Sequence, residues 1–199
     1  MKFYPNQVFH VYNRGNNRQQ IFFTEENYLY FLRKVRVHLS PYCDILAYCL
    51  MPNHFHFLIY TNDKTCTPFL INDKETNMTL FSNGVKTLLS SYTKAINRQE
   101  KRTGSLFTQN TEAKMVSSDL AMFDYSVYCM HYIHKNPVRA GLVQSLADWR
   151  YSSFQDYAGL RNGTLCNKEL AEKVLYLDWN NWLFETDKDI DDDIVGKLF

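Results

Sequence analysis

The chain has 199 residues, 45% of them hydrophobic and 16% aromatic, which fits one globular domain with an appended segment. Its five cysteines are scattered and contain no Cys-x-x-Cys pair, which argues against a disulfide framework and against a zinc ribbon. The net charge of +1 hides an asymmetry, because residues 1–150 carry 17 Lys and Arg against 11 Asp and Glu, whereas residues 151–199 carry 5 against 10. A basic body with an acidic tail is compatible with binding of a polyanion by the body.

The sequence has no pattern of a secretion signal or of a membrane span. The N-terminal stretch Met1–Gln7 has no apolar signal core, and no apolar run approaches the roughly 20 residues that cross a bilayer. We therefore expect a soluble, cytoplasmic protein with no membrane partner.

The first elements predicted along the chain are a strand and a helix. Val8–Asn13 has the β-branched and aromatic content of a strand. Thr24 predicts the N-cap of a helix whose first turn carries Glu25 and Glu26, where carboxylates suit the positive end of the helix dipole. Apolar residues at helical spacing give this helix one core face, made of Tyr28, Phe31, Leu32, Val35 and Leu39.

A β-hairpin is predicted next, with Asp44–Leu50 and His54–Tyr60 as its strands and Met51–Asn53 as its turn. Side chains alternate between the faces of a strand, so His54 and His56 lie on the same face. Two imidazoles on one face can bind a metal ion, because histidine is the commonest metal ligand. A structural or solvated histidine pair fits the same triplet, and the triplet alone leaves both interpretations open.

The middle of the chain predicts a loop and then a helix. Thr61–Thr79 is polar and irregular and predicts a surface loop, after which a helix begins near Leu80. The buried stripe of this helix consists of Phe81, Val85, Leu88, Leu89, Tyr92 and Ile96. Its C-terminal end is basic, with Lys94, Arg98, Lys101 and Arg102. These cations either complement the helix dipole or contact phosphates, and the sequence leaves both interpretations open.

A fourth strand and a third helix follow. Glu112–Val116 predicts the strand, and Ser117 or Ser118 predicts the cap of a helix from Asp119 to about Lys135. The core set of this helix is Leu120, Phe123, Val127, Met130 and Ile133.

This order of elements predicts an α+β fold, in which helices pack on one face of an antiparallel sheet. We expect the folded body to span residues 1–150. Residues 151–199 predict a C-terminal extension of helical and irregular segments with an acidic, partly mobile tail at Asp187–Asp193.

The third helix carries candidate chemistry at Tyr132 and Asn136, which helical geometry stacks on one face. A tyrosine hydroxyl can attack a phosphodiester and become a phosphotyrosine, and an amide oxygen from the same face can join two imidazoles around a divalent ion. Pro137 disfavours helical geometry at Asn136, which predicts a tilt of that side chain. Tyr128 shares roughly the same helix face and, on spacing alone, rivals Tyr132.

Several stretches of the sequence resemble one known family. His54-Phe55-His56 resembles the HUH motif (His, hydrophobic, His) of the single-tyrosine transposases, and Tyr132–Val143 resembles the catalytic-helix segment of one branch, the REP-associated tyrosine transposases. Supporting matches lie at Asn13–Asn17, Ala47–His56, Arg102–Phe107 and Trp149–Phe154. The chain departs from the pattern at Thr108–Glu112, where relatives often carry a basic Gly-Arg-Phe, and in the long loop after Tyr60. Both departures bear on DNA contacts.

The resemblance implies a ferredoxin-like fold in the body, with single-stranded DNA cleaved at or near hairpins through a covalent 5′-phosphotyrosine. It implies Tyr132 as the nucleophile, in preference to Tyr128. It further implies His54, His56 and Asn136 as ligands of a divalent metal such as Mg²⁺ or Mn²⁺. Resemblance to the REP-associated branch favours a monomer over a dimer for this protein.

Other basic residues and other functions remain to be weighed. The candidate DNA contacts are Arg14, Arg98, Lys101, Arg102 and Arg139, although structural ion pairs suit Arg14 and Arg139 equally well. One alternative function is a non-catalytic protein of the same fold that binds nucleic-acid hairpins. Another is a metal-dependent phosphoesterase that activates water, in which Tyr132 only positions the substrate.

Overall fold

The structure is a computed structural model that describes residues 2–117, 125–178, 181–182, 186 and 190–198. The strands are β1 Val8–Arg14, β2 Cys43–Met51, β3 His54–Thr61, β4 Pro68–Ile71, β5 Lys74–Thr79 and β6 Glu112–Met115. The helices are α1 Glu25–His38, α2 Asp63–Cys66, α3 Leu80–Gln99, α4 Ser126–Arg139, α5 Phe154–Tyr157, α6 Lys168–Leu175 and α7 Asp192–Gly196. Within the described ranges, no helix is both long enough and apolar enough to cross a membrane.

The central sheet has four antiparallel strands in the order β2-β3-β1-β6. Strands β1 and β6 are neighbours in the sheet although they are far apart in sequence. Between them along the chain lie α1, the hairpin β2–β3 and α3. This confirms the α+β, ferredoxin-like antiparallel sheet that we expected. The register sets Tyr12 of β1 opposite His56 of β3, and His10 opposite Leu58.

Helices cover both faces of this sheet, not the single face expected from the sequence. Phe31 of α1 packs against Phe55 of β3 and Tyr92 of α3, with ring centroids 5.3 and 4.9 Å away. Helix α4 packs against β2, β3 and β1, and its Tyr132 lies against His56. Since Phe55 and His56 alternate along β3, α4 covers the face opposite to α1 and α3.

The first two long helices begin where their capping residues predict. The side-chain oxygen of Asn27 accepts a hydrogen bond from the Thr24 backbone N–H at 3.1 Å, at the start of α1. At the start of α3, the hydroxyl of Thr79 accepts one from the Ser82 backbone N–H at 3.2 Å. Most of both predicted core stripes is buried, whereas Leu32 and Leu89 are half-buried.

The prediction of a surface loop at residues 61–79 is wrong, because the segment folds into α2 and the hairpin β4–β5. The side-chain oxygen of Asn62 caps α2 by accepting a hydrogen bond from the Thr65 N–H at 3.2 Å. At the tip of the hairpin, Asn72 and Asp73 adopt φ of 50° and 61°, the left-handed pair of a two-residue turn that matches strand twist. Neither the short β4 nor the polar β5 shows the apolar alternation that would have marked this hairpin in the sequence.

Helix α4 runs further than predicted, to Arg139, and includes Pro137. Asn136 therefore keeps its helical position, contrary to the tilt we expected. The helix ends where Gly141 adopts a φ of 66°, as is common for glycine after a helix. The predicted start at Asp119, with Leu120 and Phe123, lies outside the described residues.

The chain after α4 returns to the free edge of β2. Leu50 N–H donates to the Tyr151 carbonyl and Ser153 N–H donates to the Tyr48 carbonyl, both at 2.9 Å, so residues 151–153 extend the sheet. Of the acidic run, residues 187–189 lie outside the described ranges, and the side chain of Asp191 caps α7. The division of the chain at residue 150 stays a prediction.

Candidate active site

An open cleft of about 700 Å³ contains three of the four residues expected to carry the chemistry, namely His54, His56 and Tyr132. Strand β1, the start of β3 and helix α4 all contribute to its walls. The remaining wall is the segment 108–112, at which the sequence departs from the family pattern. The Asn13 amide holds this segment in place, because it donates to Thr111 at 2.9 Å and accepts from the Thr108 hydroxyl at 2.7 Å.

Tyr132 lies edge-on against the histidine pair. Its ring centroid is 5.8 Å from that of His56, at an interplanar angle of 87°. The rings of His54 and His56 are 4.9 Å apart and also nearly perpendicular. Tyr128, the rival on the same helix, is 41% exposed. Packing therefore places Tyr132 beside the imidazoles.

Asn136 lies one helical turn after Tyr132 and is buried. Its Nδ2 donates to the backbone carbonyl of Tyr132 at 2.9 Å, which fixes the amide above the preceding turn. Burial lowers the pKa of His54, and a hydrogen bond with the Asn136 side chain opposes this effect. The amide is thus in contact with His54 as well as with Tyr132, as helical spacing predicts.

Tyr132 is not activated by its surroundings alone. Burial raises the pKa of its hydroxyl, whereas a hydrogen bond with Asn136 and the positive charge of Arg139 lower it. The Arg139 guanidinium lies 5.7 Å from the centre of the Tyr132 ring. Because the net pKa shift is upward, the phenol is protonated at neutral pH and needs an acceptor for its proton.

The two imidazoles suit a divalent metal. Burial is the largest cause that lowers the pKa of both His54 and His56, so both rings are neutral at neutral pH. His54 Nδ1 lies 2.6 Å from the side-chain oxygen of Asn53. Because that oxygen accepts, we assign the proton of His54 to Nδ1, which leaves a lone pair on Nε2 for a ligand.

The donor set is a pair of imidazoles plus an amide. In the described part of the chain, no group of three His, Cys, Asp or Glu side chains is placed to hold a metal. Two neutral imidazole nitrogens and the amide oxygen of Asn136 are nevertheless donors that Mg²⁺ or Mn²⁺ accepts, and they leave positions open for phosphate and water.

The five basic candidates divide into two groups. Arg14 lines the cleft, and Arg139 lies over Tyr132. The other three, Arg98, Lys101 and Arg102, lie at and just after the end of α3 and do not line the cleft. Arg102 instead donates to the Ser105 carbonyl at 3.2 Å.

One residue of the site escaped sequence reasoning, and another could be placed on its strand but not established at the site. Arg18 lines the cleft from the short turn after β1. His10 lies on β1, and its Nε2 is 2.8 Å from His56 Nδ1. The strand pattern already placed His10 in β1, but only the register between β1 and β3 brings it beside His56.

Comparison with known proteins supports the fold. No family model matches the chain, and no curated protein matches its sequence. Among solved structures, a REP-associated tyrosine transposase bound to a REP hairpin is similar, with a TM-score of 0.58. The match covers 81% of this chain and 86% of that chain at 18% identity. At this identity the likeness shows a shared fold, and the function has to be argued from the site.

Proposed function

We propose that this protein is a single-tyrosine transposase or related endonuclease of the HUH type, which cleaves and rejoins single-stranded DNA near hairpins. The observation that carries the proposal is the placement of Tyr132 against His54 and His56 in one open cleft, with Asn136 joining them from the same helix. The similar fold of a tyrosine transposase supports it.

In the proposed reaction, the hydroxyl oxygen of Tyr132 bonds to the phosphorus of a DNA phosphodiester, and the bond from phosphorus to the 3′-oxygen breaks. The phenol proton ends on the released 3′-hydroxyl, by way of solvent. The 5′ end of the cut strand stays attached to Tyr132, and a 3′-hydroxyl can later attack it to rejoin strands. One ester replaces another, so no external energy source is needed.

The site residues have separate roles in this step. Asn136 and Arg139 favour the ionised form of Tyr132 and so oppose the effect of its burial. We assign His54, His56 and Asn136 as the residues that would hold Mg²⁺ or Mn²⁺. A metal ion bound there would neutralise charge on a phosphate oxygen and polarise phosphorus.

We propose a path for DNA that leads away from the cleft. A second groove, of about 850 Å³, lies between α3 and the segment 105–113, and it shares four lining residues of that segment with the cleft: Thr108, Gln109, Asn110 and Glu112. Lys86 and Lys94 line this groove, and Arg14 and Arg18 line the cleft. We propose that single-stranded DNA enters the cleft and that a hairpin stem lies along the groove, because cations spaced along a groove suit a phosphate backbone. The monomeric state and the cytoplasmic location stay predictions.

The test is adduct formation with labelled single-stranded hairpins from the flanks of the gene, in Mn²⁺ or in EDTA, on denaturing gels. We expect a Mn²⁺-dependent covalent adduct from wild type and from the control Tyr128→Phe, and none from Tyr132→Phe. Cleavage without an adduct, unchanged in Tyr132→Phe, would refute the tyrosine mechanism in favour of an activated-water phosphoesterase. Tight binding of several hairpins, without cleavage and without an adduct, would indicate the non-catalytic binder.

A further inference from the structure

A line of hydrogen bonds runs from the C-terminal segment through β1 to the candidate metal site. His10 is fully buried, and its Nδ1 lies 2.9 Å from the backbone carbonyl oxygen of Leu198. Its other nitrogen, Nε2, lies 2.8 Å from Nδ1 of His56. His10 therefore bridges the Leu198 carbonyl and a candidate ligand.

The chemistry of these contacts fixes where each proton lies. A carbonyl oxygen only accepts hydrogen bonds, so we assign the proton of His10 to Nδ1. A neutral imidazole has one N–H, so His10 Nε2 carries a lone pair and accepts from His56 Nδ1–H. His56, which is neutral as well, is then left with its own lone pair on Nε2.

This tautomer is the one that a metal site needs at His56. The ring lines the cleft while its Nδ1 is held by His10, so Nε2 is the nitrogen left for a metal ion. His54 is arranged in the same way, with Nδ1 held by Asn53 and its lone pair on Nε2. Both rings are thus anchored through Nδ1, the arrangement that fixes ligating histidines in metal sites.

We infer that His10 is a positioning residue, which holds His56 in the tautomer and ring orientation required to ligate the metal ion. The inference rests on the proposed function, since it assigns a role toward the proposed metal. In this role His10 acts through His56, and its own ring lies edge-on to Tyr132 at a centroid distance of 6.4 Å. Loss of such an outer partner typically costs about 10–100-fold in metal affinity.

Two substitutions of His10 distinguish a role in orienting the His56 ring from a role in packing. His10→Phe keeps a ring of similar shape but removes both hydrogen bonds. His10→Gln retains an amide oxygen that can accept from His56 and an amide N–H that can donate to Leu198. His38→Gln is the matched control, because His38 is at the end of α1 on the opposite face of the sheet. Circular dichroism establishes which variants fold.

The first measurement needs neither metal nor DNA. Two-dimensional ¹⁵N–¹H NMR of imidazole-labelled protein reports the tautomer of each ring directly. We expect wild-type His56 to be protonated at Nδ1, and the same signature in His10→Gln and in His38→Gln. In His10→Phe we expect this signature to be lost. A wild-type His56 protonated at Nε2 would overturn the inference, even if no variant at position 10 folded.

The second measurement is Mn²⁺ binding by calorimetry in the absence of DNA. We expect the dissociation constant to rise about 10–100-fold in His10→Phe and to stay close to wild type in His10→Gln. Unchanged affinity in His10→Phe, or equal losses in both variants, would overturn the positioning role and leave the metal site intact. If wild type binds no Mn²⁺ and His54→Ala makes no difference, the metal site of the proposed function fails, and the inference fails with it.

Discussion

Replacing Arg139 by Gln tests how the protein favours the ionised form of Tyr132. Two unit charges 5.7 Å apart, the distance from the guanidinium to the ring centre, interact by about 3 kcal/mol at an effective dielectric constant of 20. The cleft is open to water, which reduces this to about 1 kcal/mol. Removal of the charge should therefore raise the pKa of Tyr132, because it destabilises the ionised form by about 1 kcal/mol.

Two assays measure this effect. NMR titration of protein labelled with ¹³C at the tyrosine ζ carbon, with Tyr132→Phe to assign the signal, gives the pKa without metal or DNA. Single-turnover adduct formation at saturating hairpin concentration gives the rate at each pH. Below the pKa, a loss of about 1 kcal/mol lowers the tyrosinate fraction about fivefold, so the rate should fall about fivefold in Arg139→Gln, whereas Arg139→Lys should fall less.

The control is Arg98→Gln, which removes the same charge from the end of α3, outside the cleft. It should leave both the pKa and the rate near wild type. An unchanged pKa of Tyr132 in Arg139→Gln, with hairpin binding weakened instead, would refute the reasoning. Arg139 would then be a phosphate contact, which is one of the two roles that the sequence allowed.

Three further predictions concern stability. Phe31 is fully buried among aromatic rings of α3 and β3, so Phe31→Ala should lower the free energy of unfolding in urea by about 3–5 kcal/mol. Asp156→Ala leaves the half-buried Arg161 without the carboxylate that it contacts at 2.6 Å, which should cost about 3 kcal/mol in the same assay, whereas Glu169→Ala on the exposed surface should change little. Burial lowers the pKa of His134 to about 3, so the unfolded chain binds a proton that the folded chain does not as pH falls below the ordinary value of 6.5. His134 alone should therefore lower the free energy of unfolding by about 1.4 kcal/mol per pH unit from about pH 6 toward pH 3, a contribution that is absent in His134→Gln.

Each of these predictions has a contradicting result. A loss below about 1 kcal/mol in Phe31→Ala would mean that the core repacks around the gap. Equal effects of Asp156→Ala and Glu169→Ala would mean that the buried pair adds nothing beyond a surface pair. An unchanged pH slope in His134→Gln would assign the acid sensitivity to other groups, such as His10, whose pKa burial lowers to about 4.

Features that depend on near neighbours in the chain could be predicted from the sequence. The start of α1 at Thr24 and the shared face of Tyr132 and Asn136 follow from local hydrogen bonding and helical spacing. That His54 and His56 lie on the same face of β3 follows from the alternation of side chains along a strand. The hairpin at residues 68–79 was missed for a local reason too, since β4 is an apolar run of only four residues and β5 is polar, so neither shows the alternation that marks a half-buried strand.

Features that depend on tertiary pairing could not be predicted. The contact between His10 and His56 requires the register of β1 against β3, and a slip by one residue would move His10 to the other face. The placement of the cleft wall at residues 108–112 depends on the amide of Asn13, about 95 residues away in sequence. No short-range pattern in the sequence specifies either of these contacts.

The position of α4 joins the fold to the candidate chemistry. The face of β3 that carries Phe55 and Phe57 is filled by aromatic rings of α1 and α3, so it has no room for a site. The other face carries His54 and His56, which need polar partners when buried. Helix α4 provides one to His54 from Asn136, whereas His56 receives its partner, His10, from β1. The same helix brings Tyr132 to the imidazoles, so α4 covers this face with both a polar partner and the proposed nucleophile.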